Sequence, residues 1–532
     1  MIPWLLNSAW QLTCLESAAR FARAIENPRR VQRHILSQML HQNQATGFGI
    51  RYGFASIGTA EEFRDRVPLQ TYDSLSTDIE SITRGERDVL TRQRPTRLLP
   101  SSGSSAARKL IPYTPGFQRQ LNRAISPWIF NLMRERPGIK SGRAFWSVSP
   151  RFQPAAGDEH CVPIGFDDDS AYLGKWSRPI ARRLLALPPG LEDIADIDEF
   201  RYRQLLHLLA CGDLSLVSIW HPSYLTLLLD DLQQQWPLLL DDLGRLGADR
   251  DRVSYLRRVD CESFELIWPR LQLISCWGSA HAAGALRELR CRFPHTEFQE
   301  KGLLATEAAI SIPLFAKRGD KAQKVLAVNS HFLEFLCDDD NPRLVDELVE
   351  GETYRVVVTT AAGLYRYQLH DRVQVTGKLK TTPTIEFVGK EDSISDYRGE
   401  KLSDSFVGER LQRLFAQQGI EPVFSMLAPD EKGGSLGYTL YLEARDRAPE
   451  ELAPRLDAML VDNPHYQLCR ELGQLAPIRV FRIAAGSNHS FVQRRVQQGC
   501  CLGDIKPVCL SNARGWSECF RGDYLAQTAC VD

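Results

Sequence analysis

Three short runs constrain this chain most: "GRAFWSVSP" (142–150), "LSLVSIW" (214–220) and "LQLISCWG" (271–278). Each is apolar, β-branched or aromatic, and about as long as one buried strand. Helical patterns stand between and after them, as in "SYLTLLLDDLQQQW" (223–236) and "AGALRELRCRF" (283–293). Parallel strands need a crossover connection of a dozen or more residues, so strand and helix alternating at this spacing specify an α/β body with a parallel core.

Either side of this core the texture changes. Residues 9–42 carry apolar positions at three- and four-residue spacing and predict helix. Beyond 325, "VLAVNSHFLEFL", "TYRVVVTTAAGLYRYQLHDRVQVTG" and "TIEFVG" predict close-spaced antiparallel strands. The polar stretch 389–404 is a plausible hinge. After it the pattern predicts helix 402–418, strands 421–427 and 437–443, helix 449–474 broken at Pro464, strand 477–483 and a helix near 490–498. The expected division is a large domain over 1–390, with a β-rich subdomain from about 325, and a small α+β domain over 391–532 joined by a hinge at about 389–401.

Composition excludes several classes. A net charge of −1 over 532 residues gives no electrostatic case for nucleic acid or an anionic membrane. No run reaches the roughly 18 apolar residues of a spanning helix. Thirteen cysteines without C-x-x-C spacing read as reduced thiols, and a cytoplasmic protein is expected. H-E-x-x-H and G-x-G-x-x-G are both absent.

Four stretches could carry chemistry. In "SSGSSAARKLIP" (101–112), hydroxyls around a glycine let backbone N–H groups converge on an anion, with Lys109 adding charge. It lacks the Walker A spacing, and a polar linker is the alternative. In "GLLATEAAISIPL" (302–314), Glu307 lies between apolar runs. A carboxylate buried there is either ion-paired or bound to a metal. Asp371 closes an alternating pattern in "GLYRYQLHDRVQVTG", where it either accepts ribose hydroxyls or sits in a tight turn beside the titratable His370. Lys506, in "GDIKP", follows a Gly-Asp turn and by itself reads as a surface charge. Trp128, Phe130, Trp146 and Phe166 are aromatic positions that either line a substrate pocket or fill the core.

In this order, these stretches resemble one family. With "GFGIRYGFASI", "EEFRDRVPLQTYDSL", "IGFDDDSAYLG" and "FVGKEDSISDYRGEKL", the chain is similar to the Gretchen Hagen (auxin-responsive) acyl acid amido synthetases, and to their bacterial members most closely. The resemblance implies an adenylate-forming ligase architecture: a large N-terminal α/β domain with a β-rich subdomain and a small mobile C-terminal α+β domain. It implies ATP-dependent activation of a carboxylic acid with Mg2+, then transfer to an amine, an amino acid by expectation, with release of pyrophosphate and AMP. Small-molecule substrates and a monomer or weak dimer are expected.

By the same resemblance, Ser101, Ser102, Gly103, Ser104 and Ser105 form the phosphate loop, with Lys109 beside it. Thr306 and Glu307 contact the α-phosphate and Mg2+, Asp371 binds the ribose, Trp277, Gly278 and Ser279 lie by the adenine, and Lys506 reaches the reacting oxygens. The chain departs from the family text at Ala106-Ala107-Arg108, at Ala361-Ala362, in "CWGSAHAA", and at His370 where the family has glycine. Two other enzymes share the first half-reaction, an acyl-CoA synthetase and a loader of carrier proteins. A nucleotide-binding protein without catalysis is the reading from another class.

Overall fold

The β-branched and aromatic runs form a four-stranded parallel sheet. In this computed structural model, β3 (Arg143–Trp146), β4 (Leu214–Ser218), β5 (Leu273–Cys276) and β6 (Glu297–Glu300) lie side by side in chain order. β4 and β5 are buried throughout, as strands covered on both faces must be. The structure describes residues 2–101, 109–146, 161–164, 183–188, 190–194, 196–279, 282–316, 319–390, 394–432, 435–444, 451–498, 505 and 508–525.

Two compact units divide the chain: Met1–Ser279 with Gly284–Phe387, and Ala280–Ala283 with Val388–Asp532. In the first, the predicted N-terminal helical region is two helices, Ile2–Ala24 and Pro28–Asn43. Asn27 separates them: its side chain accepts from Arg30 N–H, and Pro28 occupies the first turn, where its missing N–H costs nothing. Gln32, buried in the second helix, donates to the carbonyls of Val328 and His331 at 2.7 Å each and accepts from Leu333 N–H. This ties the helix to the strands that follow 325.

Those strands belong to a seven-stranded sheet that begins earlier than the sequence pattern indicates. Its order is β10 (Pro342–Arg343), β9 (Phe332–Leu336), β11 (Thr353–Thr359), β12 (Tyr367–Leu379), β13 (Thr382–Lys390), β8 (Ala322–Leu326) and β7 (Ser311–Phe315). Pairs β7–β8, β8–β13, β9–β10, β9–β11 and β11–β12 are antiparallel, as expected. The register of β11 on β12 slips between Arg355 and Val357, so residues 369–371 bulge.

A buried ion cluster braces this sheet. Glu334 on β9 accepts from Arg64 at 3.0 Å and from Arg366 at 3.2 Å. Arg366 also donates to the carbonyls of Arg64 and Val67. It does so from the left-handed region, φ +46°.

The second unit carries β14 (Ile394–Ser395) paired with β15 (Leu402–Ser403), then the helix Asp404–Gln418. The expected helix from 402 thus starts two residues late, at a Ser403 cap that accepts from Phe406 N–H. Within the stretch read as a hinge, buried Glu400 accepts from the N–H groups of Tyr397 and Arg398 and from Tyr438 Oη. A four-stranded sheet follows, in the order β16 (Pro422–Lys432), β17 (Ser435–Ala444), β18 (Ala476–Ile483), β19 (Gly522–Tyr524). The broken helix expected over 449–474 is two helices, Leu452–Leu460 and Pro464–Glu471, which carry the crossover between the parallel β17 and β18. One carboxylate ties all four strands together: Asp430 of β16 accepts from Thr439 (3.1 Å), Arg479 (2.8 Å) and Tyr524 (2.6 Å).

The described cysteines are free thiols, as expected. Among the described residues no helix is long and apolar enough to cross a membrane.

Candidate active site

Open parallel sheets bind ligands beyond the carboxyl ends of their strands. Here those ends are Trp146, Ser218, Cys276 and Glu300. The chain leaves β5 through Trp277–Gly278–Ser279, held by backbone bonds from Trp277 N–H to Trp220 O (2.7 Å) and Lys301 N–H to Cys276 O (2.9 Å).

Trp277 is buried, with its ring edge-on to Phe387 at 5.3 Å. The Ser279 hydroxyl accepts from Lys324 Nζ at 3.0 Å and donates to Glu386 at 3.2 Å. Lys324, itself buried, also bonds Glu300 at 3.1 Å and Glu386. Ser279 therefore belongs to a cluster of one lysine and two glutamates that the sequence reading missed.

Beyond β6 the chain passes Lys301 and Gly302 and turns back into β7. A Cβ at residue 302 would lie 2.1 Å from Ser311 O, so only glycine lets the loop pack on β7. Leu304 and Ala309 form an antiparallel bridge, and Ala305 N–H donates to Ala308 O at 2.9 Å. Thr306 and Glu307 are thus the two tip residues of a tight hairpin, with Glu307 8% exposed. The two residues singled out by sequence are presented together on one turn.

The serine stretch that starts at Ser101 also joins two paired strands. Strands β1 (Arg97–Ser101) and β2 (Lys109–Tyr113) pair with Ser101 opposite Lys109, so residues 102–108 connect one hairpin. Lys109 Nζ stands 6.0 Å over the Tyr72 ring, and Tyr72 Oη accepts from Leu110 N–H at 2.9 Å. Ser102, Gly103, Ser104, Ser105 and Ala106-Ala107-Arg108 lie outside the described residues, as do Phe166 and Lys506. Buried Ile505 immediately precedes Lys506.

Asp371 is buried within the β12 bulge. The residue before it, His370, has φ +60°. That left-handed conformation costs an L-residue about 1–2 kcal/mol, and glycine adopts it freely. The backbone at 370 thus keeps a glycine-like conformation although the side chain is imidazole. His370→Gly should therefore leave the bulge intact and bind ATP as well as the parent or better, whereas β-branched His370→Val should lose about 2 kcal/mol of stability. Nucleotide titration and thermal melts check both. A large loss of ATP affinity in the glycine variant would mean that the imidazole itself is needed.

Lys301 is a second residue that sequence reasoning missed. It is 3% exposed, and burial pulls its ammonium down to about 7. Its Nζ donates to Ser218 Oγ at 2.7 Å. It stands 4.9 Å from the ring centre of Trp128, 5.3 Å from Trp220 and 5.8 Å from Trp146. Trp128 is fixed in turn by its Nε1 donating to Gln299 at 2.9 Å. Phe130 packs against the core around Trp10 and Met133, and Trp146 touches that core as well.

Comparison with known proteins agrees with this architecture. Three family models match in succession: the GH3 family N-terminal domain over residues 17–298, the central domain over 324–390 and the C-terminal domain over 405–515. The chain is 26% identical over 556 residues to the indole-3-acetic acid-amido synthetase GH3.4 of Arabidopsis thaliana, covering 93% of this chain and 91% of that one. Against the indole-3-acetic acid-amido synthetase GH3.3 of the same plant it is 24% identical, covering 90% and 89%. The solved AtGH3.15 acyl acid amido synthetase in complex with 2,4-DB superposes with a TM-score of 0.82 at 18% identity, covering 97% of this chain and 96% of that chain. The fold is thus that of the adenylate-forming amido synthetases, and the chain belongs to the GH3 family.

Proposed function

We propose that the chain is an ATP-dependent ligase that activates a carboxylic acid as its acyl-adenylate and passes the acyl group to an amino acid. The reading is supported above all by the Thr306–Glu307 hairpin tip in a chain matched by GH3 models along most of its length. An acid oxygen attacks the α-phosphorus of ATP and pyrophosphate leaves. The amine then attacks the activated carbonyl and AMP leaves, giving the amide. Such phosphoryl chemistry depends on positioning and on neutralising charge.

In this proposal Ser101–Ser105 and Lys109 cradle the phosphates. Thr306 orients the α-phosphate, Asp371 holds the ribose hydroxyls, and Trp277–Gly278 flank the adenine. Ser279, committed to Lys324 and Glu386, acts there through its backbone. Lys506 bonds the reacting oxygens. The chain is further read as closest to bacterial members of its family and as cytoplasmic, with a large domain over 1–390, a small one over 391–532 and a hinge at about 389–401.

Among the described residues, no group of three or more His, Cys, Asp or Glu side chains gathers around one point. Mg2+ binds through one or two carboxylates together with substrate phosphates. Glu307 at its hairpin tip is the fitting ligand. Bound there, Mg2+ supplies neutralisation of phosphate charge.

Pyrophosphate release across aromatic, fatty and amino acids tests the first half-reaction, with indole-3-acetate included because the relatives are named for it. Amino acids and coenzyme A, offered as acceptors, test the second. An amide product is expected. A thioester instead makes the chain an acyl-CoA synthetase, and no pyrophosphate with any acid makes it a nucleotide-binding protein only.

A further inference from the structure

The mechanism leaves one buried charge unused. Lys301 follows the last residue of β6, at the carboxyl edge of the parallel sheet. Burying an ammonium costs several kcal/mol unless it is compensated. A desolvated cation over a tryptophan face recovers about 2 kcal/mol, and three faces surround this one. The rings carry no charge, however. Among the described residues no carboxylate pairs with Lys301, and its ammonium has three N–H donors, of which Ser218 takes one. Glu300, next in sequence, is instead engaged by Lys324 and Arg290. Trp146 and Trp220 are only half-buried, so the box is not sealed within the core.

The following residues separate this box from the reacting centre. Lys301 points to β3 and β4, whereas Gly302 and Leu303 cross to β7, with Leu303 N–H donating to Ser311 Oγ at 2.9 Å. The Thr306–Glu307 tip lies beyond that crossing. An acid whose carboxylate reacts at the tip would present its other end to the box.

We infer that Lys301, with Trp128, Trp146 and Trp220, selects the acyl substrate: a planar, aromatic acid bearing a second acidic group opposite the reacting carboxylate. This rests on the ligase reading above. The half-buried Trp146 and Trp220 line one side of the ring, and the second carboxylate takes the two free N–H donors of Lys301. Lys301 is thus a specificity-determining residue rather than a catalytic one.

The test uses the full chain and the adenylation half-reaction, followed by pyrophosphate exchange, with benzoate and benzene-1,4-dicarboxylate as probes. The dicarboxylate should be preferred at least tenfold in kcat/KM, and Lys301→Met should bring that ratio to one or below. A wild type without the preference, or a K301M variant that keeps it, overturns the inference.

The pH profile of the wild type needs no variant. The groups facing Lys301 are Ser218 on β4 and Cys276 on β5, whose thiol burial pushes up to about 12, while Glu300 on β6 is turned to Lys324. An anion that binds only the ammonium loses affinity as the amine deprotonates. The dicarboxylate KM, relative to that of benzoate, should therefore rise about tenfold per pH unit above pH 7. Parallel profiles for the two acids overturn the inference.

Absence of exchange with every acid would overturn the ligase reading instead. Intrinsic-fluorescence titration without ATP then isolates the lysine: the dicarboxylate should bind the wild type at least tenfold tighter than K301M, and equal affinity overturns the inference on its own.

Discussion

Glu334→Ala is expected to destabilise the large unit by about 3–5 kcal/mol, seen as a marked fall in denaturant midpoint. The carboxylate is 1% exposed and holds two guanidinium groups, Arg64 and Arg366. Removing it leaves both cations in a low-dielectric interior with only backbone carbonyls on Arg366. The change should not stay local. Arg366 bonds the carbonyls of Arg64 and Val67, and Gln70 N–H donates to Arg366 O at 2.9 Å, so the 64–70 segment is hung on this residue. Arg366 also lies five residues before Asp371 in the same strand region, and weaker ATP binding should accompany the lost stability. A midpoint equal to wild type would mean that the ion cluster contributes nothing net.

Lys506→Ala should lower the adenylation rate by about 100-fold or more, the scale seen when one preorganised donor to a developing charge is lost. Its melting temperature should stay near that of the parent if the lysine serves the reaction rather than the fold. Rates are to be read with acid and ATP saturating, so that the loss appears in kcat. An unchanged kcat would remove Lys506 from the proposed mechanism. Conversely, a lost rate accompanied by a large drop in melting temperature would assign the lysine a structural part.

The parallel core was legible because burial on both faces forces continuous apolar runs, and β4 and β5 obey that rule residue by residue. The Thr306–Glu307 pair was legible for a related reason: a carboxylate among apolar residues stands out. Lys301 was not. A lysine in sequence reads as solvent-exposed, and its burial depends on Trp128, Trp146 and Trp220, which lie on a helix, at the end of β3 and just after β4. No window of sequence holds all four. The Ser279–Lys324–Glu386 cluster escaped for the same reason, since its members are 45 and 62 residues apart. The early start of the seven-stranded sheet was hidden because β7 reads as a buried apolar run that suits either sheet. At His370, where the family has glycine, the backbone still takes a glycine-like φ, which the side chain's identity alone does not reveal.

The Asp430 carboxylate has a consequence for how the small unit comes apart. Its three donors lie on β17, β18 and β19, so side chains as well as backbone ladders crosslink the four strands. Peeling any one strand away takes a donor from a buried carboxylate, and parting β16 from β18 also leaves the Arg479 guanidinium without its charge partner. The sheet should therefore open as one cooperative piece rather than strand by strand.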